Sequence, residues 1–154
     1  MRDNKKIDSK EKTILDILEI RISENPDQVF LRTSHEDCSF INFQRRIYGC
    51  ILKFNQIGIQ KNDIVATILP NSMDAVTVWF SAMHIGAIWA PINTHFKGDQ
   101  LANVINLLGS TDLVIESSYI QSVIDIASKV PELRRLHVVN TKTEIYKTKF
   151  DIIQ

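Results

Sequence analysis

The chain has 154 residues, of which 44% are hydrophobic and 23% are charged, the composition of a soluble globular protein. Its 18 basic and 18 acidic residues give zero net charge, which argues against a general nucleic-acid binder or a protein held on anionic membranes. No window approaches the roughly 20 apolar residues that span a bilayer. Residues 1–12 mix bases with acids, so they predict a flexible tail and no signal or transit peptide, and we expect a cytoplasmic protein.

Cys38 and Cys50 are the only cysteines of the sequence. Neither has the spacing of a metal-ligand pair, and two thiols in a chain of this size do not make a disulfide scaffold. We expect two reduced, partly buried thiols and no metal site.

The first predicted elements are a helix and a hairpin. Apolar residues at helical spacing predict a helix from Thr13 to Ser23, with Thr13 as its cap and Asn25-Pro26-Asp27 as its end. Residues 28–33 and 38–41 predict two short strands on either side of a polar turn.

A second helix is predicted after the hairpin. We expect Asn42 to cap this helix and Gly58 to end it in the left-handed conformation that glycine favours. The polar residues 61–63 then lead into an apolar run from Ile64 to Leu69, which predicts a buried strand.

Residues 70–92 predict the rest of a parallel crossover. Pro70 breaks the strand, a helix capped by Asn71 or Ser72 runs to Ile85, and a second apolar run covers residues 87–92. A strand, a helix and a strand in this order are typical of a parallel pair. Because both runs are continuously apolar, we expect helices on both faces of the sheet.

Helices and strands continue to alternate after this crossover. The pattern predicts a polar loop at residues 93–97, a helix over 99–108, a strand over 113–115, a helix over 119–129 and a strand over 136–139. Residues 140–154 predict a loop and the opening of an unfinished element. From Ile64 onward the alternation predicts a three-layer α/β fold, a mostly parallel sheet with helices on both faces, which follows a small amino-terminal helix and a β-hairpin.

No complete active site can be assembled from these residues. The five glycines are far apart and form neither a dinucleotide fingerprint nor a phosphate-binding loop, and no serine stands in a nucleophile elbow. No carboxylate pair stands out, since aspartates such as Asp112 occur where turns and caps normally place them. We therefore predict no catalytic, cofactor-binding or metal-binding residue.

Three residues are predicted to lie near a ligand, because they follow strands at the edge where parallel sheets bind ligands. Asn71 and Ser72 precede a helix whose first amides could hold an anion, although a helix cap in a rigid turn explains them more simply. His95 follows the strand that ends at Ile92, but a lone loop histidine needs a partner for catalysis and is more simply explained as solvated.

Several segments resemble the amino-terminal part of the adenylate-forming enzymes, the family of acyl-CoA synthetases, luciferases and nonribosomal-peptide adenylation domains. The similar segments are Glu24–Asp27, Ile41–Gln44, Gly58–Ala66, Leu69–Ser72, Trp79–Ala82 and Met83–Asn93. Two of them, Ile41–Gln44 and Met83–Asn93, look like the first and second core motifs of the family. The similarity runs in order from about Thr13 to Val139 and is greatest to bacterial acyl-CoA or carnitine-type CoA ligases. It implies that residues 13–139 are a truncated amino-terminal subdomain of an AMP-binding ligase domain.

The resemblance implies a two-step ligase that uses ATP, magnesium and coenzyme A. ATP and a carboxylate would give an acyl-adenylate and pyrophosphate, and the thiol of coenzyme A would then take the acyl group. The family's phosphate loop, its adenine- and ribose-binding motifs and its catalytic lysine lie downstream of the matched part, with no counterpart before Gln154. No catalytic residue is carried over, and we expect none of the three cofactors to bind this chain tightly.

Two hypotheses follow from this pattern. The first is an amino-terminal fragment of an acyl-CoA synthetase, inactive alone and lacking a C-terminal remainder. The second is a non-catalytic interaction module that pairs with a ligase or with a separately encoded remainder, because an incomplete sheet exposes apolar surface or a strand edge. A homo-oligomer is a further possible partnership. An unrelated flavodoxin- or receiver-type domain has the right length, but a receiver needs an acidic cluster after its first strand.

Overall fold

A computed structural model describes residues 13–139 and 148–153. Its helices are α1 (Ile14–Glu24), α2 (Phe40–Gln56), α3 (Met73–His84), α4 (Gly98–Leu108) and α5 (Ile120–Ile124), and its strands are β1 (Val29–Arg32), β2 (Asp37–Ser39), β3 (Ile64–Ile68), β4 (Ile88–Pro91), β5 (Asp112–Glu116), β6 (Arg135–Val139) and β7 (Asp151–Ile153). The chain divides into two compact units, Met1–Arg45 and Arg46–Gln154. The predicted tail over residues 1–12 and most of the predicted loop after residue 139 lie outside the described residues. The assignment of residues 13–139 to a truncated subdomain stays a prediction.

The first unit holds the predicted small helix and hairpin. The Thr13 hydroxyl accepts a hydrogen bond from the Asp16 amide (3.2 Å), and the Asp16 carboxylate accepts one from the Thr13 amide (2.6 Å), so α1 begins with a capping box. β1 and β2 pair antiparallel, as expected. The predicted cap at Asn42 is wrong, because α2 already begins at Phe40 and the Ser39 hydroxyl accepts a hydrogen bond from the Asn42 amide.

The second unit is built on a five-stranded sheet in the order β4-β3-β5-β6-β7, in which every neighbouring pair is parallel. The predicted α/β architecture, a parallel sheet with helices on both faces, is confirmed. The chain passes from β3 to the outer strand β4 and then returns past β3 to β5. Such a reversal is a topological switch point, and open α/β sheets bind ligands there, outside the carboxyl ends of the strands.

One face of this sheet is covered by α4, α5 and the segment after α5. Apolar side chains from these elements pack against the strands in one cluster, whose most buried members are Leu101, Leu113, Ile115, Ile120, Val123, Val130 and Leu136. Phe150, just before β7, is buried in the same cluster. Gly109 ends α4 with a φ of 61°, the left-handed conformation that glycine adopts without steric cost.

The opposite face is covered by α3 and the second half of α2. Phe54 and Val78 pack with Val65 of β3 and Val114 of β5 in a second, smaller cluster. β4 lies at the margin of the sheet, and its Ile88 side chain is 54% exposed although the surrounding run is apolar. Helices therefore cover both faces, but the outer strand β4 is only partly buried.

The single helix predicted over residues 119–129 is wrong. α5 spans only Ile120–Ile124 and is flanked by short 3-10 turns at Ser117–Tyr119 and Ala127–Lys129. After α5 the Ile126 amide donates to the carbonyl of Val123 (3.2 Å), and the Lys129 amide donates to the carbonyl of Ile126 (2.8 Å). These bonds span three residues and not four, so the chain tightens and the α-helix does not continue.

Neither cysteine forms a disulfide. Cys38 is buried and Cys50 is half-buried, and burial raises the pKa of the Cys50 thiol above its ordinary value. Within residues 13–139 and 148–153, no helix is long and apolar enough to cross a bilayer.

Candidate functional site

The three residues predicted to lie near a ligand all follow strands at the carboxyl edge of the sheet. Asn71 and Ser72 follow β3, and His95 follows the neighbouring parallel strand β4. The amide of Ile92 donates a hydrogen bond to the carbonyl of Thr67 (2.8 Å), so the two strands leave the sheet side by side. The fold therefore brings the two loops to one edge, while a role of these residues near a ligand stays a prediction.

Ser72 is the cap of α3. Its hydroxyl oxygen accepts a hydrogen bond from the amide of Ala75 at 3.2 Å, which satisfies one of the first amides of the helix. The carboxylate of Asp74 lies in the first turn, where the positive end of the helix dipole stabilises it. A phosphate at this helix start would compete with both groups. The geometry therefore favours the cap interpretation over an anion site, and the neighbouring Asn71 is exposed.

His95 is exposed and bound to its own loop. Its backbone amide donates to Oδ1 of Asn93 at 2.9 Å, and its Nδ1 lies 3.2 Å from the same oxygen. An asparagine side chain that bonds the backbone two residues later forms a common turn. These contacts explain His95 as part of the turn that leads from β4 to α4, the simpler of its two interpretations.

A third loop leaves this edge after β5. The carboxylate of Glu116 accepts hydrogen bonds from the amide of Ser118 (3.1 Å), from the hydroxyl of Ser117 (3.3 Å) and from the hydroxyl of Ser118. Glu116 thereby caps the 3-10 turn that follows β5. Its two oxygens are engaged by the loop that they stabilise.

Among the residues that the structure describes, the carboxyl edge therefore has the position of a ligand site without the side-chain chemistry of one. Ser72, His95 and Glu116 each bond the turn or helix start beside them. Within the described ranges, residues 13–139 and 148–153, no group of three His, Cys, Asp or Glu side chains could hold a metal ion. These residues fit neither the phosphates of ATP nor magnesium, so no reaction step is assigned to them.

The sequence prediction missed a charged cluster at the opposite, amino edge of the sheet. Arg135 Nε lies 2.6 Å from Asp112 Oδ1, Arg135 Nη2 donates to Asp112 Oδ2 at 2.8 Å, and His137 Nε2 lies 2.6 Å from Asp112 Oδ1. Arg135 and His137 are two residues apart in β6, so their side chains lie on the same face of the strand. The parallel register places Arg135 opposite Asp112. The signal in the sequence is this spacing of two residues, which gains meaning only with the strand register.

Asp112 is strongly stabilised in its charged form. Its side chain is only 15% exposed, and burial by itself would raise its pKa. Hydrogen bonds from His137, Arg135 and Thr111 outweigh burial and hold the pKa of this carboxyl well below its ordinary range. Arg135 and Asp112 also border a cavity of about 310 Å³ at the amino edge. Because ligands of such sheets bind at the carboxyl edge, we interpret the cluster as structural.

Comparison with known proteins finds similarity to AMP-binding enzymes and to CoA ligases. A family model described as AMP-binding enzyme matches residues 18–152. The chain is 27% identical to a medium/long-chain-fatty-acid–CoA ligase, FadD6, of Mycobacterium tuberculosis over 109 residues, which are 70% of this chain and 18% of that protein. It is 28% identical to a crotonobetaine/carnitine–CoA ligase of Salmonella paratyphi C over 103 residues, which are 67% of this chain and 18% of that protein.

The same fold occurs in solved structures. The crystal structure of the anthranilate CoA ligase AuaEII in complex with anthranoyl-AMP matches with a TM-score of 0.76 and 20% sequence identity. The match covers 81% of this chain and 24% of that chain. At this identity the likeness concerns the fold alone. The chain thus spans about a quarter of the solved ligase and less than a fifth of the two curated relatives.

Proposed function

This chain belongs to the AMP-binding enzyme family, and we propose that it supplies the amino-terminal parallel-sheet subdomain of an ATP-dependent acyl-CoA ligase. The whole enzyme would join a carboxylate to the AMP part of ATP, release pyrophosphate and pass the acyl group to the thiol of coenzyme A. Magnesium would neutralise phosphate charge in the first step. The share of this chain in that enzyme is architectural, and the groups that activate the carboxylate would come from elsewhere in the ligase.

One observation carries this proposal. At the carboxyl edge, where a parallel sheet binds its ligands, the side chains of Ser72, His95 and Glu116 are engaged in capping helices and turns. A sheet edge whose described polar side chains hold its own turns and helix starts is suited to positioning a neighbouring catalytic part.

The acyl substrate is proposed as a medium- or long-chain fatty acid, with a carnitine-type acid as the alternative. The support is the similarity to the mycobacterial and Salmonella ligases, which share 27% and 28% identity with this chain. A cytoplasmic location stays a prediction.

The proposal is tested by pyrophosphate exchange with the purified 154-residue chain. ATP, magnesium and labelled pyrophosphate are incubated with octanoate, palmitate or carnitine, and formation of labelled ATP is measured. We expect no exchange above a protein-free control, while the full-length mycobacterial ligase run in parallel gives exchange with its fatty acids. Sustained exchange by this chain alone would contradict the proposed division of roles.

The second candidate function is a non-catalytic interaction module that pairs with a ligase or with a separately encoded remainder. The observation that favours it is the outer strand β7, whose Ile153 side chain is 36% exposed at the margin of the sheet. Both candidates require a partner surface on this chain. They differ in whether the partner is continuous with it.

A further inference from the structure

Exposed apolar side chains lie next to each other on the outer side of α2. The inner side of this helix is held in the core, where Ile47 and Phe54 are 3% and 4% exposed. On the outer side, Tyr48 is 48% exposed and Leu52 is 63% exposed. These two residues are four positions apart, so they are neighbours on the helix surface. We call the surface that they form with the two residues between and beside them the α2 outer face: Tyr48, Gly49, Leu52 and Lys53.

The charged side chains of α2 are all basic. Its 17 residues include three basic side chains and no aspartate or glutamate. Arg45 and Lys53 are exposed, and Lys53 directly follows Leu52. Arg46 lies 4.0 Å from Asp74 of α3, so its charge is partly compensated. Because the whole chain has zero net charge, the positive charge is a local property of this helix.

The α2 outer face is open at its centre. A Cβ atom added at Gly49 would have no non-neighbouring atom within 4 Å among the described residues. The Tyr48 ring meets the His84 ring edge-on, with 6.0 Å between centroids and 80° between planes, and this contact orients it. A partner helix normally binds in a groove, whereas a protruding row of apolar and basic side chains suits a flat anionic surface.

We propose that the α2 outer face is a docking surface for an anionic phospholipid bilayer, with the helix axis parallel to the membrane. Leu52 enters the boundary between headgroups and acyl chains, and Tyr48 keeps its hydroxyl among the headgroups. Lys53 is attracted by the anionic headgroups. Because two side chains supply the apolar contact, binding is weak and reversible. This inference goes beyond the proposed function and does not depend on it.

The test measures partitioning of the purified 154-residue chain onto lipid vesicles by co-sedimentation. One set of vesicles is phosphatidylcholine alone, and the other is equal parts of phosphatidylcholine and phosphatidylserine. We expect binding to the vesicles that contain phosphatidylserine and none to phosphatidylcholine alone. Binding should fall steeply at about 1 M salt, where the Debye length is roughly 3 Å.

Gly49→Lys and Gly49→Glu place opposite charges at the same open point of the α2 outer face. Both replace a glycine inside a helix by a residue of higher helix propensity, so both should fold, which circular dichroism checks. We expect Gly49→Lys to raise the partition coefficient about fivefold and Gly49→Glu to lower it about fivefold.

A second pair of variants tests the apolar contact. Leu52→Ser should lower the partition coefficient about tenfold, since it removes the side chain that enters the bilayer. The matched control is Leu107→Ser, which changes an 85% exposed leucine on α4, a helix with one acidic and no basic side chain. This variant should partition like the wild type.

Three results would overturn the lipid-docking proposal. The first is no binding to the phosphatidylserine vesicles, and retention of the chain on immobilised polyglutamate in that case would assign the face to acidic proteins. The second is equal partitioning of Gly49→Lys and Gly49→Glu. The third is an equal effect of Leu52→Ser and Leu107→Ser. None of them bears on pyrophosphate exchange, which tests the proposed function separately.

Discussion

Asp112 illustrates how a single side chain can hold two strands in register. A carboxylate that is 15% exposed is destabilising unless its charge is compensated. Here Arg135 and His137 bind it from β6, and Thr111 donates to it from the preceding residue at 2.7 Å. Both basic side chains come from one face of the neighbouring strand, so a shift of one residue in the β5–β6 register would remove them.

We predict that Asp112→Asn lowers the free energy of unfolding at pH 7 by about 2 kcal/mol, the usual contribution of hydrogen bonds to a charged group. The folded-state pKa of Asp112 lies below the unfolded value of about 3.9. The contribution of charged Asp112 to the free energy of unfolding is therefore complete above about pH 5 and is lost as the pH falls below 4. Urea unfolding at pH 7 and pH 3 measures this, and the gap between wild type and variant should narrow at pH 3.

The matched control for this prediction is Asp99→Asn. Asp99 pairs with Lys129 on the surface, where solvent screens the interaction, and its side chain is 79% exposed. Because solvent screens this surface pair, Asp99→Asn should lose clearly less stability at pH 7 than Asp112→Asn. An Asp112→Asn variant with unchanged stability at pH 7 would show that the cluster does not stabilise the sheet.

The sequence predicts the position of some of these residues in the fold and not of others. Asn71, Ser72 and His95 are found by position alone, because a residue after an apolar strand lies at the carboxyl edge whatever the strand order. The Asp112 cluster cannot be found in this way. Its three members become neighbours only through the pairing of β5 with β6, and a single sequence does not specify that pairing.

The ends of helices can be predicted from neighbouring residues, whereas features that depend on distant parts of the chain cannot. The start of α1 at Thr13 and the end of α4 at Gly109 agree with the sequence, because capping depends on residues within one turn. The exposure of Ile88 in β4 does not follow from the sequence, because an apolar run cannot show which strand will be outermost. The end of α5 is not visible in the sequence, because the apolar pattern continues beyond it. The backbone hydrogen bonds there span three residues and no longer four.

The cap of α3 offers a test at the level of one helix. We predict that Ser72→Ala lowers the free energy of unfolding by about 1 kcal/mol, since the Ala75 amide loses its acceptor. Asn71→Ala, at the exposed position just before, should change stability by less than about 0.5 kcal/mol. Both are measured by urea unfolding without ligands. A Ser72→Ala variant as stable as the wild type would favour a ligand role for this serine over a cap.

For the molecule as a whole, the described strands of the sheet differ in how far they are buried. β3 and β5 lie inside the sheet and are buried along most of their length. β4 and β7 lie at its margins, and each is exposed at both of its ends. Among the described residues, the buried core on the face of α4 and α5 extends to β6 and β7. An arrangement of this kind suits a subdomain that is completed by further structure.

Native-state hydrogen exchange on the isolated chain tests most directly whether this parallel sheet forms in solution. The amides of β3 and β5 should exchange only through global unfolding, because they are buried and paired on both sides. The amides of β7 should exchange faster through local opening of the margin. Strong protection confined to the helices, with β3 and β5 exchanging as fast as the loops, would contradict the sheet and everything built on it.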